Sequence, residues 1–175
     1  RIANGIPTAA YAKKPRPDAL PRVIKRKGEL WLGTLAGLRA VKNLPRLVRA
    51  FAALGEEWQL VILGDGPERE AIRETAIALE IGHRVHLPGF VADPAAVLGL
   101  FDLFALSSDS EQFPISVVEA MAAGLAVAAP AVGDVAAMVA PENAPFIVAP
   151  GRDDTLAQAL ATLAADPALR RRVGE

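Results

Sequence analysis

From Glu29 onward, short apolar runs alternate with segments in which apolar residues recur every three or four positions. Six runs are predicted as strands: Glu29–Leu35, Trp58–Leu63, Arg84–Leu87, Asp102–Leu106, Ala126–Ala129 and Phe146–Val148. The run WQLVIL is almost unbroken in its apolarity, as expected of a parallel strand covered on both faces. Between the strands, Asn43–Leu54 carries Leu44, Leu47, Val48 and Phe51 at helical spacing. A second helix opens at Pro67, where a missing N–H costs nothing, and runs to about Leu79. Ala95–Leu100 reads as a short helix, Pro114–Ala123 as a helix closed by Gly124, and Asp134–Val139 as a helical turn. Helices over Arg152–Ala164 and Pro167–Val173 end the chain. Strands and helices in alternation predict an α/β fold with a doubly wound parallel sheet of about six strands. Ligands of such sheets sit outside the carboxyl ends of the strands, so the loops that follow each strand carry the interest.

Residues 1–28 break this rhythm. Pro7, Pro15, Pro17 and Pro21 cannot donate to a ladder, and the segment reads as an irregular basic leader joined to a domain over residues 29–175. Residues 1–27 hold eight Lys and Arg against Asp18 alone, a charge of +7, which leaves −8 on the rest of a chain whose total is −1. A solvated linker is the plain expectation for such a strip, and a surface meeting a partner domain or an anion is the other.

Composition removes several classes of function. The 175 residues are 52% hydrophobic but only 5% aromatic, and 35 of them are alanine, so the core is built largely from small side chains. No run approaches the roughly 20 apolar residues of a membrane-spanning helix. The absence of cysteine excludes disulfides, thiolate metal sites and cysteine catalysis, and suits a reducing compartment. His83 and His86 flank a strand without the acidic spacing of a metal site, and are read as structural. Arg170, Arg171 and Arg172 are read as surface cations that complement a helix end. The chain begins with Arg1 rather than Met, which suggests a piece of a longer protein.

Three loops could carry chemistry. In SSDSEQFPISVVEAMAAG (Ser107–Gly124) the helix from Pro114 is apolar nearly all round, so it is expected to be buried, with Glu119 as its one charge. A carboxylate in that setting needs donors, either the paired hydroxyls of a ribose or an internal partner such as a backbone N–H or an arginine. Glu111 precedes the same helix, whose first free N–H groups, at Phe113, Ile115 and Ser116, suit an anion; an exposed loop acid is the simpler reading. In GTLAGLRAVKN (Gly33–Asn43) the glycines permit close approach, Thr34 offers a hydroxyl, and Arg39 and Lys42 could bind a diphosphate. No P-loop spacing is present. Gly64-Asp65-Gly66-Pro67 reads chiefly as a tight turn, with a nucleotide-proximal loop as the other reading, and Gly89, Phe90 and Val91 could hold a flat base.

Glu111 and Glu119, eight positions apart within SEQFPISVVEAMAAGLAVAAPAVGDV, resemble the paired-glutamate signature of family 4 glycosyltransferases in their C-terminal, nucleotide-sugar-binding domain. The likeness runs from Asn4-Gly5-Ile6 through GTLAGLRAVKN, LVILGDGPER and RVHLPGF to the closing helices, nearly the whole chain. It implies the C-terminal, Rossmann-like half of a two-domain GT-B enzyme, retaining and metal-independent, with a nucleotide sugar such as a UDP- or GDP-sugar as donor and no resident cofactor. Residue by residue, it implies that Glu119 binds ribose, Glu111 contacts the transferred sugar, and Lys42 neutralises the diphosphate. Phe113, Pro114 and Ile115 would line donor sugar and phosphate, and Gly89, Phe90 and Val91 the base.

Two departures stand out. The arginine common in a Gly-Arg-Leu stretch before the lysine is absent from Ala36-Gly37-Leu38, leaving Arg39 as its substitute, and Gln112 stands where glycine is common. The resemblance further implies a glycan or lipid-linked acceptor bound by an N-terminal domain outside this chain. A cytoplasmic enzyme is expected, with peripheral association at the membrane face an option for the full-length protein, and no nucleic-acid partner. On this reading the isolated chain binds donor and transfers nothing. A GT-B epimerase or phosphorylase, a non-catalytic nucleotide-binding module and a dinucleotide-binding domain remain as alternatives, the last disfavoured by the lack of G-x-G-x-x-G.

Overall fold

The computed structural model describes residues 5–11 and 14–175; Asn4 of the leader motif and the charges at Arg1 and Lys13 lie outside them. Six strands form one all-parallel sheet: β1 (Leu30–Leu35), β2 (Trp58–Leu63), β3 (Val85–Gly89), β4 (Leu103–Ala105), β5 (Val127–Pro130) and β6 (Ile147–Val148). Their order is β3-β2-β1-β4-β5-β6, so the chain winds outward from β1, returns, and winds out the other way from β4. The crevice between β1 and β4 is therefore the topological switch point.

The helices are α1 (Leu44–Phe51), α2 (Arg69–Ala78), α3 (Ile115–Ala122), α4 (Val135–Met138), α5 (Asp153–Ala165) and α6 (Pro167–Gly174). Strand alternation divides the core in two. Leu32, Leu60 and Ile62 point to the layer of α1, α2 and α5, while Trp31, Val61 and Leu63 point to the layer holding Val117 and Ala120 of α3.

The main departures from expectation have local causes. Ala95–Leu100 forms two separate 3-10 turns, Pro94–Ala96 and Leu98–Leu100, rather than one helix, with Val97 (φ −130°, ψ −24°) outside the helical region between them. Pro67 precedes its helix by two residues, because Gly66 (φ +153°) is still turning the chain. The leader is not wholly solvated. A 3-10 turn at Thr8–Ala10 packs beside α3, and Tyr11 and Leu20 are buried in the α3 layer.

One arginine is also more buried than its sequence neighbourhood suggests. Arg170 was expected at the surface with Arg171 and Arg172, but it stacks 5.0 Å from the Trp58 ring and donates to the Leu163 and Ala164 carbonyls. It thus satisfies the end of α5 rather than that of its own helix. His86 meets the Gln59 side chain at 2.9 Å, and burial lowers its pKa, which fits its structural reading.

Candidate functional site

The loops that follow β1 and β4 meet over the switch point. Asp109 N–H donates to the Val41 carbonyl (2.9 Å) and the Ser107 hydroxyl to the Lys42 carbonyl (2.9 Å). Asn43, in the left-handed region that asparagine tolerates, donates its side-chain amide to Asp109. Arg46 braces both loops from below by pairing with Asp109 and Asp153 and donating to the Ser107 carbonyl.

Above this brace, Lys42 Nζ lies 2.6 Å from Glu111 Oε1, and the Ser108 hydroxyl donates to the same oxygen at 2.6 Å. The second oxygen of Glu111 makes no hydrogen bond among the described residues. The Glu111 loop is pinned again at its back, where Asp134 N–H donates to the Gln112 carbonyl (2.8 Å). A Cβ on Gly133 (φ +55°) would lie 2.4 Å from both the Glu111 and Gln112 carbonyl oxygens, so only glycine permits this approach.

These residues wall a cleft of about 450 Å³ at the carboxyl ends of the strands. Lys42, Glu111, Glu119, Arg39, Phe90, Phe113, Pro114 and Ile115 all line it, so the structure gathers eight of the eleven residues singled out in the sequence. Gly89 and Val91 line an adjoining hollow of about 320 Å³, which shares Asp65 and the highly exposed Phe90 with the cleft. Asp65 and Phe90 thus border both the hollow and the cleft that holds Lys42 and Glu111.

Thr34 is the exception. It is fully buried on the same strand face as Leu32, turned away from the cleft, and its hydroxyl has no hydrogen-bond partner among the described residues. Gly33 is likewise covered, by the Phe101 ring, so the close approach it permits is to a side chain. The α3 helix is also less enclosed than its apolar sequence implies: Val117 and Ala120 are buried, but Ile115 is exposed toward the cleft. No side chain caps its first turn, leaving its leading N–H groups facing the space that Ile115 and Ser116 line.

Several contributors were either the less favoured reading of the sequence, as for Gly64 and Asp65, or not apparent from it. Gly64 and Asp65 line the cleft, because Gly64 (φ +137°) lets the loop after β2 press on the Ala36 carbonyl. Ser108 holds Glu111, and the pair of serines directly after a buried strand was the available signal. Tyr11 donates its hydroxyl to Glu119 Oε1 at 2.8 Å, so the internal partner of Glu119 is a phenol rather than a backbone N–H or an arginine.

A family model described as "Glycosyl transferases group 1" matches residues 16–175. The chain is 30% identical over 99% of its length to the N-acetyl-alpha-D-glucosaminyl L-malate synthase of Bacillus anthracis, spanning 46% of that protein. Among solved structures, Anabaena HepE in complex with UDP-glucose superposes with a TM-score of 0.85 at 25% identity, over 99% of this chain and 50% of HepE. The C-terminal domain of the group 1 glycosyl transferase LpcC from Francisella tularensis shares the fold, with a TM-score of 0.82 at 21% identity over 98% of this chain and 93% of that domain. The chain thus spans about half the length of the full-length relatives it matches.

Proposed function

The chain belongs to the group 1 glycosyl transferases, and we propose that it is the nucleotide-sugar-binding unit of a retaining, metal-independent transferase. The observation that carries the reading is the convergence of Glu111, Glu119 and Lys42 on one cleft at the switch point of the sheet. The base lies along Gly89–Val91 beside Phe90, the ribose hydroxyls donate to Glu119, and the diphosphate meets Lys42, Arg39 and the first N–H groups of α3. The transferred sugar lies against Glu111 and the Phe113–Ile115 loop. Support for a nucleotide sugar comes from HepE, a structural neighbour whose complex holds UDP-glucose.

The chemistry is electrostatic. Loss of a nucleoside diphosphate leaves negative charge on the departing oxygens, and a lysine, an arginine and a helix end already in place stabilise it as it forms. Lys42 pairs with Glu111, which keeps its ammonium beside the position proposed for the diphosphate. Arg39 is exposed at the cleft edge beside Gly37, where it takes the part of the arginine missing from Ala36-Gly37-Leu38. A glycan or lipid-linked acceptor is bound elsewhere in the full-length enzyme, so donor binding is the activity proposed for these residues alone.

Ligand-observed NMR with UDP, GDP, ADP and their sugars tests the reading. One nucleotide is expected to bind wild type and to lose most of its signal with Glu119→Ala. Binding that ignores Glu119 overturns the site, and transfer catalysed by residues 1–175 alone overturns the division of labour.

A further inference from the structure

We propose that Tyr11 is a positioning residue whose hydroxyl holds the Glu119 carboxylate from behind, presenting its free oxygen to the ribose hydroxyls of a bound nucleotide. The inference rests on the reading of Glu119 as the ribose-binding group. Tyr11 lies 108 residues before Glu119 in sequence, directly after the Thr8–Ala10 turn that packs on α3. Its ring is buried, and its hydroxyl donates to Oε1 at 2.8 Å.

The direction of approach separates a positioning group from a ligand contact. Glu119 lines the nucleotide cleft, but Tyr11 does not; Tyr11 lines a different cavity of about 540 Å³, shared with Lys25, Asp102 and Gly124. A carboxylate offers about four acceptor sites on its two oxygens, and the phenol occupies one of them. Oε2 makes no hydrogen bond among the described residues, and room remains for a diol. Fixing a flexible glutamate before the ligand arrives removes an ordering cost from binding. The phenol is also a durable donor. Burial, then the hydrogen bond to Glu119, pushes its pKa up to about 12, so it stays protonated at physiological pH.

The test compares UDP with 2′,3′-dideoxy-UDP on wild type and Tyr11→Phe, a change that keeps the buried ring. Wild type is expected to prefer UDP. Tyr11→Phe should weaken UDP about fivefold, the scale of one hydrogen bond, and leave the dideoxy compound unchanged. On a Glu119→Ala background, Tyr11→Phe should have no further effect on UDP. Equal weakening of both nucleotides, or an undiminished preference in Tyr11→Phe, overturns the positioning role alone. A wild type that does not distinguish the two overturns the ribose reading of Glu119 itself and the proposal with it.

Discussion

At the amino ends of β2 and β3, cations are sealed into the protein; at the carboxyl ends they are left beside water. Arg84 is 1% exposed, lies 4.8 Å from the centre of the Phe51 ring, and donates to the Leu54 and Gly55 carbonyls. Arg170 does the same work on Trp58 and the end of α5, and its burial lowers its pKa. Planar guanidinium suits both tasks, since it stacks on a ring while its edge donates to carbonyls. Lys42 instead rests on one carboxylate at the rim of a cleft, and Arg39 has no side-chain partner among the described residues. Carbonyls at a chain turn cannot leave, whereas an ammonium on a half-open carboxylate can be shared with an incoming anion. The partner, more than the charge, separates a cation that supports the fold from one available for binding.

The sealed end should give the largest effect. Arg84→Leu strands the buried Leu54 carbonyl, removes the donor to Gly55 and empties a buried stack on Phe51, and should cost about 3 kcal/mol of unfolding free energy in urea titration. UDP affinity of the folded variant should stay within about twofold, since the site is remote. A cost below about 1 kcal/mol would break the distinction, because surface ion pairs reach that much.

Lys42→Ala should show the reverse pattern. Loss of a charge-assisted contact to a diphosphate should weaken UDP about tenfold, or ~1.4 kcal/mol by calorimetric titration. Stability should change by about 1 kcal/mol, less than for Arg84→Leu, because Ser108 still donates to the part-buried Glu111 when the ammonium is removed. A large loss of stability with intact binding would make Lys42 a structural cation like Arg84.

Arg46 stands between the two kinds. It is buried like Arg84, yet it pairs with the carboxylates Asp109 and Asp153 under the cleft loops. The hydrogen bond from Arg49 is the largest influence on Asp153 and, with Arg46, holds its carboxyl below the ordinary carboxylate value. A depressed pKa contributes stability above the unfolded value of about 4, lost as pH falls through the folded one. Asp153→Asn should therefore cost less than about 1 kcal/mol at neutral pH and flatten the acid limb of the stability curve.

The contrast also marks what could be read from the chain. Short apolar runs and helical spacing disclosed the six strands and the main helices, since burial on both faces of a parallel sheet imposes continuous apolarity. The glutamate pair and Lys42 were legible because a charge in an apolar helix or at a loop-to-helix junction needs a reason. Arg170 looked like a surface residue, because the Trp58 ring that it stacks on comes from a distant segment and its carbonyl partners belong to the preceding helix. Thr34 looked available because a strand's last residues adjoin a loop, but its parity turned it inward. Tyr11 was hidden in a proline-rich basic leader whose local sequence says nothing of α3.

The smallest expected effect concerns how the two cleft acids are held, Glu111 by an ammonium and Glu119 by a neutral phenol. Tyr11 is the only tyrosine in the chain, so tyrosinate absorbance on alkaline titration reports this contact alone. The folded protein should titrate at about 12, against about 10 for an unperturbed phenol. Above pH ~10 the unfolded chain loses that proton while the native state keeps it, so the native state binds more protons and stability falls as pH rises toward 12. Glu119→Gln should lower the midpoint without returning it to about 10, because burial is the larger cause and survives the change. Tyr11→Phe should remove both the absorbance change and its share of the alkaline slope. A wild-type midpoint near 10 would mean that the phenol is neither buried nor on the carboxylate, and Glu119 would then be free to move with the ligand.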